Sequence, residues 1–334
     1  MTRKPVKQVP MSEILQNTSQ PHLAAAPFAT ASLGAASCAF AITLLLMQGM
    51  PPAYAQSLPS QPSLPQSERI VAAGGAVTEI LYALGLQDRI VGVDTTSLFP
   101  EAALKDKPNV GYVRALSAEG VLSLKPTLVV TIPNAGPPDI LKLVGEAGVR
   151  IVQTLDDPSA DGVVAKVREV GKLTGSMVEA DRLAAAIQVR FDALTKARAD
   201  LGKPKRVLFV LALQNGRPMV GGANSAADAM IRLAGGINAA TAVEGYKPMT
   251  DEAVIASAPD VIMMMNRGNH ASPAADVFAL PAFIATPAAT SKSLIVMDGL
   301  YLLGFGPRAA DAAHDLMKAL YPEKAAQFGA LSKP

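Results

Sequence analysis

The chain has 334 residues, of which 50% are apolar, 17% charged and 4% aromatic, and its formal net charge is +2. A chain of this length and composition can bury a large core and build one large or two medium α/β domains. The near-neutral balance lacks the basic stripe that nucleic-acid binding requires, so we expect no nucleic-acid partner.

Residues 1–55 have the organisation of a cleavable secretory signal peptide. Three basic side chains precede an apolar run at residues 35–47, and Ala53-Tyr54-Ala55 offers a small-x-small cleavage site. The run is too short to span a membrane as a helix. Met11 is an alternative start, because the basic region is long for a signal. We therefore predict a secreted protein; the alternative is that the run is a core helix.

Cys38 is the only cysteine, and it lies inside the apolar run. We expect it to leave with the signal, so that the mature chain has no disulfide and no thiolate metal site. Residues 56–67, rich in proline, serine and glutamine, are predicted to form a flexible leader.

Strands and helices alternate from residue 68 onward. Strands are predicted at residues 69–73, 90–93 and 150–154, helices at residues 76–84 and 138–147, and a capped helix followed by a buried strand within residues 111–130. Such alternation is typical of a parallel sheet with helices on both faces. Residues 68–158 are therefore predicted to form an N-terminal α/β lobe.

Helical periodicity dominates residues 159–202, with interruptions expected at Gly171 and Gly175. Ser176 and Glu179 have the spacing of a capping box. A helix from Ser176 to Asp200 would extend roughly 36 Å at 1.5 Å per residue. That length is enough to cross between two lobes.

Residues 203–334 repeat the alternation and are predicted to form a C-terminal α/β lobe. Its strands are expected at residues 206–211, 261–265 and 294–297, and its helices at residues 224–233 and 307–321. The predicted fold is α/β, with two lobes of mainly parallel sheets flanked by helices and joined by a single long helix.

An internal repeat relates the segments 111–130 and 245–264. Ser117, Glu119 and Pro126 recur as Thr250, Glu252 and Pro259 at a constant offset of 133. The repeat indicates two similar lobes. The Tyr-x-Arg pair formed by Tyr112 and Arg114 is not repeated, because Tyr246 is followed by lysine and proline.

The usual catalytic signatures are missing from the sequence: the phosphate-binding loop, the dinucleotide fingerprint and the nucleophile elbow. The three histidines are His22, His270 and His314, and His22 would leave with the signal, so a histidine-based metal cluster cannot be assembled. His314 falls in the closing helix, where we expect a packed or solvated side chain. A secreted two-domain enzyme remains the alternative, and it would need a nucleophile–base pair that this inventory hardly supplies.

Tyr112 and Arg114 lie in the loop before the capped helix, where α/β sheets present ligand contacts. Tyrosine is a known axial ligand of ferric haem. A phenol, with a solution pKa near 10, needs the metal and a nearby cation to bind as the phenolate. Arg114 could supply that charge or hold a propionate. By itself, the pair is equally consistent with a tyrosine that packs on the surface of the lobe and binds no ligand.

Glu119 and Glu252 stand near the starts of helices predicted to be capped by Ser117 and Thr250. Each carboxylate stabilises its helix start through the helix dipole. Matching acids on two lobes also suit docking to a two-fold partner that carries arginines, where they would steer and register the complex.

Two glycine pairs and one loop arginine have two interpretations each. Gly74-Gly75 and Gly221-Gly222 fit tight turns or the close approach of a large ligand. Arg267 follows a predicted strand and fits a carboxylate partner or a solvated loop. The methionines at residues 263–265 fit a buried strand or soft contacts to a macrocycle.

Four segments carry a resemblance to a known family: RIVAAGGAVTEI at residues 69–80, GYVRALSAEG at 111–120, GYKPMT at 245–250 and GFGPR at 304–308. With the signal, they resemble the periplasmic haem-binding proteins of bacterial haem ABC importers. The same superfamily includes vitamin B12 and siderophore binding proteins. The resemblance covers the mature chain. It implies a monomeric periplasmic protein without catalysis, with haem held between two lobes and an inner-membrane ABC permease–ATPase complex as partner.

The resemblance also implies roles for single residues. Tyr112 takes the place of the axial iron ligand, Arg114 assists the phenolate or a propionate, and Arg267 is carried over as a haem contact. Glu119 and Glu252 correspond to the acids that engage permease arginines.

One departure bears on stoichiometry. Some members carry a histidine on the second lobe that binds another haem, whereas residues 212–216 read ALQNG. This argues against a two-haem stack. A corrinoid or a ferric siderophore is the alternative cargo, and the lack of tryptophan disfavours the corrinoid. A single stiff helix between the lobes predicts little closure on binding.

Overall fold

The computed structural model describes residues 68–214, 217–266 and 274–328. The predicted signal and leader, and Arg267 with His270, lie outside these ranges. Within the described part, no helix is both long enough and apolar enough to cross a membrane.

The first lobe is a four-stranded sheet with helices and a small hairpin. Its strands are β1 (Ile70–Ala73), β2 (Ile90–Val93), β3 (Gly111–Tyr112), β4 (Ala115–Leu116), β5 (Leu128–Thr131) and β6 (Arg150–Gln153). Its helices are α1 (Gly75–Ala83), α2 (Ala102–Asp106), α3 (Ala118–Ser123) and α4 (Pro138–Glu146), with a 3-10 turn at Gln87–Arg89. The sheet order is β2-β1-β5-β6 and every pairing in it is parallel, as the alternation predicts.

The lobes are connected by α5 (Ala160–Thr174) and α6 (Met177–Arg198). At 22 residues, α6 is about 33 Å long. The break expected at Gly171 is wrong: α5 runs through it, and an added Cβ there would lie 2.2 Å from Cβ of Ala180 in α6. The glycine therefore serves the close packing of the two helices.

The capping box expected at Ser176 is not formed. Its side chain makes no cap hydrogen bond, and its backbone N–H donates to the carbonyl of Gly171 at 2.8 Å. Gly175, with φ 74°, ends α5 in the left-handed region. The turn between α5 and α6 is too short to leave Ser176 in the extended conformation of an N-cap.

The second lobe has a mixed sheet. Its strands are β7 (Arg206–Gln214), β8 (Arg217–Gly221), β9 (Ile237–Asn238), β10 (Tyr246–Pro248), β11 (Val261–Asn266) and β12 (Leu294–Asp298). Its helices are α7 (Ala226–Leu233), α8 (Asp251–Ala256), α9 (Ala274–Phe278), α10 (Pro281–Ile284), α11 (Pro287–Ser291), α12 (Gly299–Leu303) and α13 (Ala309–Leu320), followed by a 3-10 turn at Pro322–Gln327. The order is β10-β8-β7-β11-β12, with β9 beside β7; β8 pairs antiparallel with both β7 and β10, and the other pairings are parallel.

The internal repeat is visible in the backbone. Both α3 and α8, and both β5 and β11, begin 133 residues apart. Ser117 Oγ accepts from Gly120 N at 3.1 Å, and Thr250 Oγ1 accepts from Ala253 N at 3.3 Å. After each helix a residue adopts positive φ, 46° at Lys125 and 44° at Ala258.

One apolar core is continuous through both lobes and the connecting helices. It contains Ile80 of α1, Ile187 and Phe191 of α6, Phe209 of β7 and Leu316 of α13. Two smaller cores fill the outer faces of the sheets, one in each lobe. The predicted fold of two α/β lobes joined by a long helix is confirmed.

Candidate functional site

Tyr112 lies on a hairpin at the carboxyl edge of the first sheet. It ends β3 and pairs with Ala115 of β4, so that Val113 and Arg114 form the turn. Val113 is buried and its carbonyl accepts from Gly136 N at 2.9 Å, while 43% of Tyr112 remains exposed. The buried valine anchors the hairpin and leaves the phenol directed toward solvent.

Arg114 contacts the phenol of Tyr112 directly. Its Nη1 donates to Tyr112 Oη at 3.0 Å, and both side chains are exposed. The guanidinium thus places a positive charge at hydrogen-bond distance from the phenol oxygen. The two residues that the sequence predicted to act together are therefore brought together.

Tyr246 of the second lobe lies within the electrostatic reach of the same arginine. Burial raises the pKa of Tyr246, whereas hydrogen bonds to the backbone of Ala227 and the side chain of Ser225, and the charge of Arg114, act to lower it. Its ring also meets Phe209 edge to face, with centroids 6.4 Å apart. The positive charge of Arg114 therefore acts on a phenol of each lobe, through a hydrogen bond to Tyr112 and through the longer-range field at Tyr246.

Large apolar side chains are exposed beyond or near the carboxyl ends of three strands. Leu98 follows β2, Leu155 follows β6, and Leu213 lies near the end of β7. The carboxyl ends of parallel strands are where open α/β sheets bind ligands. Apolar side chains exposed on both lobes there suit a large ligand with apolar faces.

Glu119 and Glu252 are both exposed, each in the first turn of its helix. Hydrogen bonds to its own backbone and to Thr250 lower the pKa of Glu252. Each acid therefore stabilises a helix start, and each also presents its carboxylate to solvent on a different lobe.

The glycine pairs are explained by the protein itself. A Cβ at Gly75 would lie 2.4 Å from the carbonyl oxygen of Thr96, and one at Gly222 would lie 2.2 Å from that of Val243. Neighbouring backbone is sufficient to require glycine at these two positions. His314 is buried, with Nε2 at 3.2 Å from the carbonyl of Phe328, so it packs in the core.

Two buried charged groups near the lobe junction, Glu79 and Lys166, and the half-buried Arg308 were missed from the sequence. Glu79 of α1 is bonded by Arg308 through both the backbone N–H (3.1 Å) and Nη2 (2.9 Å). Lys166 of α5 donates to the carbonyl of Phe305 at 3.4 Å. The signal for Lys166 was a lysine on the apolar face formed by Val163 and Val167. Glu79 and Arg308 lie inside two of the segments that carry the family resemblance.

The chain is similar to several proteins of known structure or curated function. A periplasmic haem-binding protein, RhuT from Roseiflexus sp. RS-1, has 40% identity and a TM-score of 0.73 over 77% of this chain and 98% of that one. The periplasmic haem-binding protein BhuT, in complex with two haems, has 39% identity and a TM-score of 0.70 over 76% and 98%. A cobalamin-binding protein of Halobacterium salinarum is 25% identical over 263 residues, 77% of this chain and 70% of that protein.

The profile of one protein family covers most of both lobes. It matches residues 70–300 and carries the description "Periplasmic binding protein". The match includes Tyr112, Glu119, Glu252 and α6, and the structures above share the two-lobed fold. The chain belongs to the periplasmic binding protein family.

Proposed function

We propose that this protein captures ferric haem in the cleft between its lobes and delivers it to an ABC permease, without chemistry of its own. The observation that carries the proposal is the exposed phenol of Tyr112 with the Arg114 guanidinium 3.0 Å away. A phenolate is an anionic oxygen donor of the kind that binds ferric haem iron. The similarity to haem-binding proteins at 40% and 39% identity supports the same cargo.

The residues at the cleft fit this cargo. Tyr112 supplies an iron ligand, Arg114 a cation for the phenolate or a propionate, and the exposed leucines apolar contact for the macrocycle. Tyr246 is less suited to the iron, because its hydroxyl already bonds at the start of α7. Residues 212–216 hold no histidine, so we propose one haem and not the pair that BhuT holds. Arg267, outside the described residues, stays a proposed haem contact.

Replacing Tyr112 by phenylalanine tests the proposal. The ring is kept and the oxygen donor is lost, so the high-spin tyrosinate-type absorbance spectrum should disappear and haem affinity should fall at least about tenfold. Tyr246→Phe is the matched control and should leave the spectrum unchanged. An unaltered spectrum and affinity in Tyr112→Phe would show that the ligand is another residue.

A corrinoid is the second candidate, supported by the 25% identity to a cobalamin-binding protein. The sequence has no tryptophan and only 4% aromatic residues. A competition titration with haem and cobalamin on one preparation separates the two. Displacement of haem by equimolar cobalamin would assign the cleft to the corrinoid.

Docking to the permease is assigned to Glu119 and Glu252, the two exposed acids that the repeat relates. The Glu119→Ala, Glu252→Ala variant should bind haem normally, bind the permease–ATPase complex much more weakly but still measurably, and fail to support uptake. The variant Glu146→Ala, Glu179→Ala removes two other exposed helix acids and should dock normally. Loss of haem binding in the first variant would place the acids in the cleft instead.

A further inference from the structure

The helices α3 and α8, which carry Glu119 and Glu252, are called the docking helices. The carboxyl end of each one is bonded by an arginine from a distant part of the chain. In the first lobe, Arg69 lies just before β1. Its Nη2 donates to the carbonyl of Leu124 at 2.7 Å and its Nε to the carbonyl of Lys125 at 3.0 Å. These are carbonyls at the carboxyl end of α3, the helix that carries Glu119.

The second lobe has the same arrangement. Arg206 begins β7, and its Nε and Nη2 donate to the carbonyl of Ser257 at 3.0 and 2.8 Å. Ser257 is the residue that caps the carboxyl end of α8. Leu124 and Ser257 are 133 residues apart, so the guanidinium reaches the equivalent carbonyl in each lobe.

The backbone of each arginine is also fixed at an equivalent place. Arg69 N donates to Thr127 Oγ1 at 2.9 Å, and Arg206 N donates to Asp260 Oδ2 at 2.8 Å. Thr127 and Asp260 again differ by 133 and each precedes the strand that follows its helix. We call each arginine, together with its bonds to the end of the helix, an arginine clamp. Each clamp is therefore fixed to the central strands of its own sheet.

The clamps matter because the docking helices are short. A helix of six residues is too short to be stable alone, and these two are held by a capping hydroxyl at the start and by the arginine at the end. A cation is also favoured at the carboxyl end of a helix. The acid lies in the first turn, at the opposite end of a helix about 9 Å long, so tilting the clamped end displaces the carboxylate.

We infer that Arg69 and Arg206 are positioning residues for permease docking: they set the direction in which α3 and α8 present Glu119 and Glu252. The inference rests on the proposed docking role of those acids. The arginines act through the helix that each one holds.

A double-mutant cycle tests the inference on the full-length, haem-loaded protein. Arg69→Ala with Arg206→Ala should weaken binding to the permease–ATPase complex roughly tenfold, a change in the middle of the range for coupled residues. Haem affinity should not change. In the Glu119→Ala, Glu252→Ala background the same arginine changes should cause no further loss. The Arg69→Lys, Arg206→Lys variant, which keeps a donor and a charge, should recover part of the binding and serves in place of the alanine variant if that one does not fold.

Arg168→Ala is the control. Arg168 of α5 forms an ion pair with Asp181 of α6, with 3.1 Å between Nε and Oδ1, and this pair involves neither α3 nor α8. The Arg168→Ala variant should therefore dock normally. If the arginine variants dock like the wild type while the acid variant fails, the inference is wrong and the proposed docking role stands. If the acid variant itself docks normally, the proposed role fails. An equal loss from the arginine changes in both backgrounds would show that they act on general stability, which also overturns the inference.

Discussion

The two phenols of the cleft differ in what their oxygen atoms contact. Tyr112 Oη meets a guanidinium and is otherwise exposed, whereas the Tyr246 hydroxyl bonds to Ser225 and to the backbone at the start of α7. Moving Tyr246 onto a ligand would break these two hydrogen bonds. This asymmetry, which the sequence indicates only by the missing arginine after Tyr246, agrees with the proposal that only the first lobe supplies an iron ligand.

Lys166 is the most deeply buried cation in the described part of the chain, with 1% of its surface exposed. Desolvation lowers its pKa from 10.5, and the charges of Asp156, Asp157 and Glu169 act to raise it. At pH values between the pKa of folded Lys166 and 10.5, the unfolded chain therefore binds more protons than the folded chain. Because of this residue, the free energy of unfolding rises with pH through that window. Below the window, the charged lysine reduces the stability of the fold.

Lys166→Met should consequently be more stable than the wild type at pH 7, by about 1 kcal/mol, with the difference shrinking as the pH approaches 10.5. Urea unfolding at pH 7 and pH 10 measures both effects. Lys172→Met, an exposed position on the same helix, should change neither. A less stable Lys166→Met variant at pH 7 would show that the bond to Phe305 outweighs the desolvation.

At the scale of elements, the sequence predicted what local pattern controls. The buried strands β1, β5 and β11 and the capped helices α3 and α8 follow from apolar runs and from cap residues. The strands β9 and β10 were missed because two or three residues carry no periodicity, and β8 because it contains both proline and glycine. Such strands exist because a neighbouring strand supplies their hydrogen bonds.

Contacts between distant segments were also beyond sequence reasoning. Gly171 was expected to break a helix, since glycine is a poor helix former, and only the approach of Ala180 shows why it lies inside one. The arginine clamps are separated from their helices by more than 50 residues. Tyr112 and Arg114 were predictable because they are two residues apart on one hairpin.

At the scale of the whole molecule, the lobes are joined by more than α6. The Arg308–Glu79 pair crosses from α13 to α1, and the Arg308 guanidinium lies 3.6 Å from the centroid of the Phe99 ring. A cavity of about 490 Å³ lies beside this pair, against α6. With the core continuous from Ile80 to Leu316, these contacts restrain any hinge between the lobes. Rigid-body closure of the kind seen in hinged binding proteins would have to break them.

We therefore expect small-angle scattering to give the same radius of gyration with and without haem. Arg308→Ala should lose this rigidity. It leaves the carboxylate of Glu79, which is 4% exposed, buried without its partner, at a cost of about 3 kcal/mol of stability. The lobes of this variant should then compact measurably on haem addition. Arg232→Ala removes an ion pair within the second lobe, to Asp228 at 3.0 Å, and should leave the scattering unchanged. Clear compaction of the wild type on haem binding would mean that the lobe junction yields to the ligand, and that the Arg308–Glu79 contact is broken and remade in each transport cycle.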